Sequence, residues 1–214
     1  MEMRIGSNRI LALLALLALG WIGYRYFAPS GPPDYSGPVA GWPSYGNDPG
    51  GTRYSPLTQI TPDNVADLEI AWTYHTGDFS GGSDSIPSRS SFQATPILLD
   101  GVLYVSTPFS RVIALDPETG EELWTHDPKI DLSIRYSENL VSRGVAAWTS
   151  PDSLERESTC GRRILFGTLD ARLLALDAKT GAPCSDFGRG GQVDLRPGVE
   201  GGHGIEPGQY EVTS

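Results

Sequence analysis

Arg143 stands in the run Ser142-Arg-Gly-Val145, between two stretches of strand-forming residues and away from any turn. A guanidinium so placed can grip a carboxylate through two parallel N–H donors. Taken singly, it reads as a solvated surface charge. Gln93 opens a Gln-Ala-Thr-Pro96 run, and its neutral amide can donate to a carboxylate, which an ionised Glu cannot. His75, His126 and His203 show no metal-ligand spacing and read as surface or strand-end histidines. Gly190-Gly191 and Gly201-Gly202-His203-Gly204 follow no phosphate-loop pattern and read as loops. No Cys-x-x-Cys-His haem signature occurs. With 16 basic against 26 acidic side chains and a net charge of −10, the chain lacks the basic excess that a phosphate-backbone partner requires, so no nucleic-acid partner is expected.

The elements that must position these residues are short. Glycine (26) and proline (17) make up about a fifth of the 214 residues, against roughly 12% on average, which over-supplies turns and argues against long helices. The exception is Ile10–Tyr24, uncharged and preceded by Arg4 and Arg9, at whose end Trp21, Tyr24, Tyr26 and Phe27 form an aromatic cluster suited to a membrane interface. Its length is borderline between a signal-peptide core and a span of about 20 residues. No clear cleavage site follows, so an uncleaved signal anchor is favoured over a cleaved signal peptide. The chain then divides into a membrane helix over 1–28, a Pro/Gly-rich spacer over 29–43 and a folded part over 44–214, with the N-terminus cytoplasmic and the rest exported. Cys160 and Cys184 lie in the exported part, where disulfides persist, and their spacing of 24 fits no standard zinc pattern. A structural disulfide is expected ahead of a metal or redox thiol.

The folded part reads as consecutive hairpins. Ala94–Leu99 and Val102–Thr107 flank Asp100-Gly101, a strong two-residue hairpin signal. Arg111–Leu115 and Glu121–His126 flank a turn with Pro117 second and Gly120 last. Then Arg111-Val-Ile-Ala-Leu-Asp-Pro-Glu-Thr-Gly120 repeats 61 residues later, without a gap, as Arg172-Leu-Leu-Ala-Leu-Asp-Ala-Lys-Thr-Gly181. A strand-only repeat of this period predicts β-propeller blades, in which small Ala lets sheets approach and Trp fills the space between them. The first copy closes with Trp124; the second has Ser185 there, so a closing aromatic is missing. Thr61–Asp67 reads as a capped helical turn. Leu68–His75 reads as a lone strand whose partner would lie at the far C-terminus of a closed ring.

In order along the chain come Tyr45-Gly-Asn-Asp, Arg53-Tyr-Ser-Pro-Leu57, Ile60-Thr-Pro, Asn64-Val, Ala71-Trp72, Thr76-Gly-Asp78 and Gln93-Ala-Thr-Pro96. As a set they resemble the opening of the pyrroloquinoline-quinone (PQQ) dependent dehydrogenases. Ser142-Arg-Gly-Val145, Cys160-Gly-Arg-Arg163, Leu169-Asp-Ala-Arg172 and Tyr210-Glu-Val-Thr-Ser214 point within that family to the membrane-bound quinoprotein glucose dehydrogenases. The resemblance implies an all-β, eight-bladed propeller of roughly three times this length, of which about two blades are present, so an N-terminal fragment is expected. Those enzymes usually carry several membrane helices, whereas this chain has room for one.

The resemblance also implies the chemistry. PQQ and a divalent ion, calcium, would serve oxidation of a sugar or alcohol hydroxyl in the periplasm, with electrons passed to a quinone or other respiratory acceptor at the bacterial inner membrane. Arg143 matches the family's carboxylate-binding Arg, Gln93 the position beside the cofactor's carboxylate, and Thr213 the Thr/Ser donors of the third blade. Asn139 stands where related enzymes place a disulfide or a His over the cofactor face, with Tyr136 or Glu138 as substitutes. The calcium ligands and the catalytic base are expected beyond residue 214. Residues 41–214 alone are expected not to bind PQQ. Two other functions compete: a non-catalytic propeller scaffold of the outer-membrane assembly type, and a non-functional truncated remnant.

Overall fold

The computed structural model describes residues 41–48, 50–199 and 206–213. The apolar segment Ile10–Tyr24, most of the spacer, and His203 with its flanking glycines lie outside these residues. Among the described residues no helix is long and apolar enough to cross a membrane.

Eight strands form two antiparallel sheets, each with its strands in sequence order. The first contains β1 (Ile97–Leu99), β2 (Val102–Ser106), β3 (Val112–Leu115) and β4 (Glu122–His126). The second contains β5 (Ala146–Thr149), β6 (Arg162–Gly167), β7 (Arg172–Asp177) and β8 (Gln192–Asp194). Asp100 and Gly101 both take positive φ (49° and 78°), the mirror-image turn whose twist matches a two-residue hairpin, and Leu99 pairs with Val102 across it. β1 starts three residues later than the sequence predicts. Pro96 has no N–H for the ladder, and Thr95 donates instead to Arg143 O (2.9 Å).

Because side chains alternate across a strand, β3 divides its four buried residues between two cores. Val112 and Ala114 pack with Ile97, Tyr104, Ile164, Phe166 and Leu176, between the sheets. Ile113 and Leu115 pack with Val105, Trp72 and Tyr74 on the opposite face. Leu68–His75 has no backbone partner among the described residues, and Trp72 and Tyr74 pack against the Val105, Ile113 and Leu115 cluster. The helical turn is present as Val65–Asp67, but Asn64 does not cap it; its side-chain oxygen accepts from Thr61 N (2.7 Å) and its amide donates to Gln59 O (2.8 Å).

The sequence repeat is a docking device. Asp116 Oδ1 accepts from the N–H and hydroxyl of Thr119, and Asp177 Oδ1 does the same for Thr180. Each turn ends on a glycine at positive φ, Gly120 (72°) or Gly181 (70°). A Cβ on Gly120 would lie 2.6 Å from the Trp72 ring, and one on Gly181 would lie 2.5 Å from the Trp124 ring. The indole Trp72 Nε1 donates to Pro117 O (3.1 Å) and Trp124 Nε1 to Ala178 O (3.0 Å), the residue after the turn Asp in both cases. The guanidiniums complete the match: Arg111 donates to Thr76 O, and Arg172 to Pro128 O (2.8 Å), each acceptor four residues past its Trp. Each tryptophan thus seats on the turn of the following unit.

The second sheet has Trp148 on its first strand but no Trp at the closing position, where Ser185 stands and the last strand is interrupted. Ala175 O accepts from Cys184 N and Ala175 N donates to Gly191 O, both at 2.9 Å, so residues 185–190 are extruded as a loop. Cys184 is disulfide-bonded to Cys160, as expected. Cys160, Cys184 and Asp186 form a group of three potential metal ligands, but the disulfide consumes both sulfurs.

Candidate cofactor site

Three segments lie side by side, two of which lead into the two sheets. Ser90 bridges Leu140 and Thr95 bridges Gly144, both in parallel sense. Residues 206–213 join them at two points, where Ser137 N donates to Gly208 O (2.9 Å) and Arg143 N to Thr213 O (2.5 Å). Gln93, Arg143 and Thr213 fall at one end of this array because each sits just before, or at, the residue that closes the bridge.

At that end Gln93, Thr95 and Arg143 line a groove of about 630 Å³, together with Tyr45, Val145, Leu165, Phe166 and Leu173. Arg143 Nη1 donates to Thr213 Oγ1 (3.2 Å), which orients the guanidinium. Among the described residues Arg143 forms no ion pair, so further N–H donors of its fork are free for an anion. Gln93 Nε2 donates to Ser91 Oγ (3.3 Å), and its side chain is exposed. Thr213 is not among the residues that line the groove; its hydroxyl accepts from Arg143. This arrangement can bind a carboxylate bidentately at the edge of a flat apolar surface.

Asn139 is not brought to this groove. It lines a separate cavity of about 620 Å³ with Arg89, Arg135 and Glu138, towards the other end of the segments. Tyr136 is buried, packs with Leu140 and Leu169, and donates its hydroxyl to Asp131 O (3.1 Å); burial pushes its pKa up. Its ring is thus committed to the core. Glu138 is exposed on the second cavity. The groove adds Thr95 and Tyr45, which sequence reasoning left unassigned. Thr95 had a readable signal, since it follows Gln93 by two residues and precedes the Pro that breaks the strand.

The family described as "PQQ: Glucose/ethanol/alcohol dehydrogenase, beta-propeller domain" matches residues 42–214. The chain belongs to this family. Its two sheets are thus two blades of a PQQ-dehydrogenase propeller. Quinoprotein glucose dehydrogenase A of Acinetobacter calcoaceticus is 39% identical over 183 residues, covering 81% of this chain and 22% of that protein. The glycerol dehydrogenase large subunit of Gluconobacter thailandicus is 38% identical over 185 residues, covering 86% and 24%. The crystal structure of quinohemoprotein alcohol dehydrogenase from Comamonas testosteroni matches with a TM-score of 0.57 at 34% identity, over 77% of this chain and 21% of that one. The chain spans about a fifth of the length of these relatives. PQQ is the cofactor of the family, and its named members are dehydrogenases of sugars and alcohols.

Proposed function

We propose that this PQQ-dehydrogenase chain contributes two blades and part of the cofactor site to an enzyme that oxidises a hydroxyl of a sugar or alcohol. The reading places it at the inner membrane, anchored through Ile10–Tyr24, with its blades in the periplasm and a respiratory quinone as electron acceptor. The observation that carries it is Arg143: a guanidinium with no ion pair among the described residues, oriented by Thr213, at the edge of an apolar groove.

PQQ is flat and carries three carboxylates, and the groove offers what such a molecule needs. Arg143 binds a carboxylate, the Gln93 amide donates a further hydrogen bond, and Leu165 and Phe166 supply apolar surface to exclude water. Thr213 holds the guanidinium in register. When bound, PQQ supplies the two-electron acceptor for the substrate carbon, and calcium the Lewis acid. No residue of this chain is assigned to the metal or to the base that takes the hydroxyl proton.

The test is a dye-linked assay of the protein produced from its native gene, loaded with PQQ and calcium. Reduction of the dye by glucose or a polyol, dependent on added PQQ, is the expected result. Loading with no turnover of any sugar or alcohol would contradict the activity.

A further inference from the structure

Residues 206–213 touch the neighbouring segments at more than the Arg143–Thr213 pair. Two residues before Thr213, Glu211 Oε1 accepts from Ser137 Oγ (2.8 Å) and from Glu138 N (3.2 Å). Between them, Val212 packs where a Cβ on Gly167 would lie 2.2 Å away, and its N–H donates to Thr168 O (3.3 Å). Three consecutive residues of one short segment therefore hold two others, the Ser137–Arg143 run and Gly167–Thr168. The chain bends at Ser137 and Glu138, so the Glu138 N–H has no ladder carbonyl to meet, and the carboxylate replaces it. The second oxygen, Oε2, is buried with no hydrogen-bond partner among the described residues.

We infer that Glu211 is a positioning residue of the cofactor site. It fixes the bend at Ser137–Glu138, and with it the start of the run to Arg143, relative to the Arg143–Thr213 pair. The guanidinium is the far end of a seven-residue run whose near end is tied to Glu211 and whose own backbone N–H is tied to Thr213. Ser137 N on Gly208 O, and Leu140 between Arg89 O and Ser91 N, also hold the run, so loss of the Glu211 tie leaves its register but loosens the bend at Glu138, and Arg143 loses part of its preorganisation towards a carboxylate. The inference rests on the PQQ-binding reading above.

PQQ is titrated, with calcium present, into the protein produced from its native gene, following intrinsic fluorescence and the absorption of bound PQQ. Glu211→Ala is expected to weaken PQQ binding about tenfold and to shift the bound cofactor's absorption. Glu211→Gln keeps an acceptor for Ser137 and Glu138 and is expected to bind within about threefold of the parent. Ser137→Ala, an exposed site that leaves the fold intact, is expected to weaken binding modestly and to add little on top of Glu211→Ala. A lowered melting temperature with unchanged PQQ affinity and spectrum in Glu211→Ala overturns the inference and leaves the PQQ reading standing. So does wild-type affinity in Ser137→Ala combined with failure of Gln to rescue. Absence of PQQ binding by the parent protein overturns the reading itself.

Discussion

Arg143 differs from the arginines that hold the blades together. Arg111 pairs with Asp78 (2.6 Å), Arg163 with Asp186 and Arg172 with Asp170, each within a few side chains of the sheet it supports. Arg143 is exposed and meets a hydroxyl rather than a carboxylate. In a chain of net charge −10, a guanidinium kept clear of acidic neighbours is available to an anionic ligand. Other ionisable groups serve the fold. Thr119, through its N–H and hydroxyl, holds the Asp116 carboxyl below the usual carboxylate range. Burial pushes Asp177 up, but the N–H groups of Cys160 and Thr180 and the Thr180 hydroxyl outweigh it and keep the carboxyl low. His126, edge-on to the Phe166 ring, is held below its ordinary value by burial. A histidine with a depressed folded pKa binds fewer protons folded than unfolded. Its contribution is therefore present above about pH 6.5 and is lost as pH falls below that value. The melting temperature should drop between pH 7.5 and 5.5, a window above the carboxylate range, and His126→Gln should shrink that drop. An equal drop in the variant would rule out His126 as its source.

At the scale of elements, the docking of Trp72 and Trp124 ties each unit to the next. Gly181→Ala adds a Cβ 2.5 Å from the Trp124 ring at a positive φ that L residues avoid. It should lower stability by about 2 kcal/mol or more, combining backbone strain with unseating of the indole. Gly198 also has positive φ (88°) but open space around it, so Gly198→Ala should cost about 1 kcal/mol from strain alone. Urea unfolding of the two variants separates the terms, and equal losses would contradict the docking role of Gly181. Gly181, the Asp100-Gly101 hairpin and the Asp-x-x-Thr-Gly turns were legible in the sequence because their conformations are fixed within four or five residues. The partner of each tryptophan was not legible. Trp124 meets Gly181 across two sheets, and local spacing carries no record of that distance. The loop over 185–190 was hidden for a related reason: without the Cys160–Cys184 bond, nothing in the run from Ser185 shows that a strand is interrupted and not ended.

At the scale of the molecule, the described residues form two blades of a family whose curated relatives are four to five times as long as the stretch they share with this chain. The membership was legible as an ordered set of weak motifs. The groove was legible in part. Gln93, Arg143 and Thr213 were legible through the family resemblance, and the segments that carry them lie side by side. Asn139, four residues before Arg143, lines the other cavity, a stagger of the segments that counting back from Arg143 does not show. The central claim is that Arg143 holds a carboxylate of PQQ. The direct measurement is a PQQ titration, in calcium, of the protein produced from its native gene beside Arg143→Ala and Arg143→Lys. One PQQ per chain is expected for the parent, about 30- to 100-fold weaker binding for Ala, and an intermediate loss for Lys, which keeps the charge without the fork. Unchanged PQQ affinity in Arg143→Ala would contradict the account.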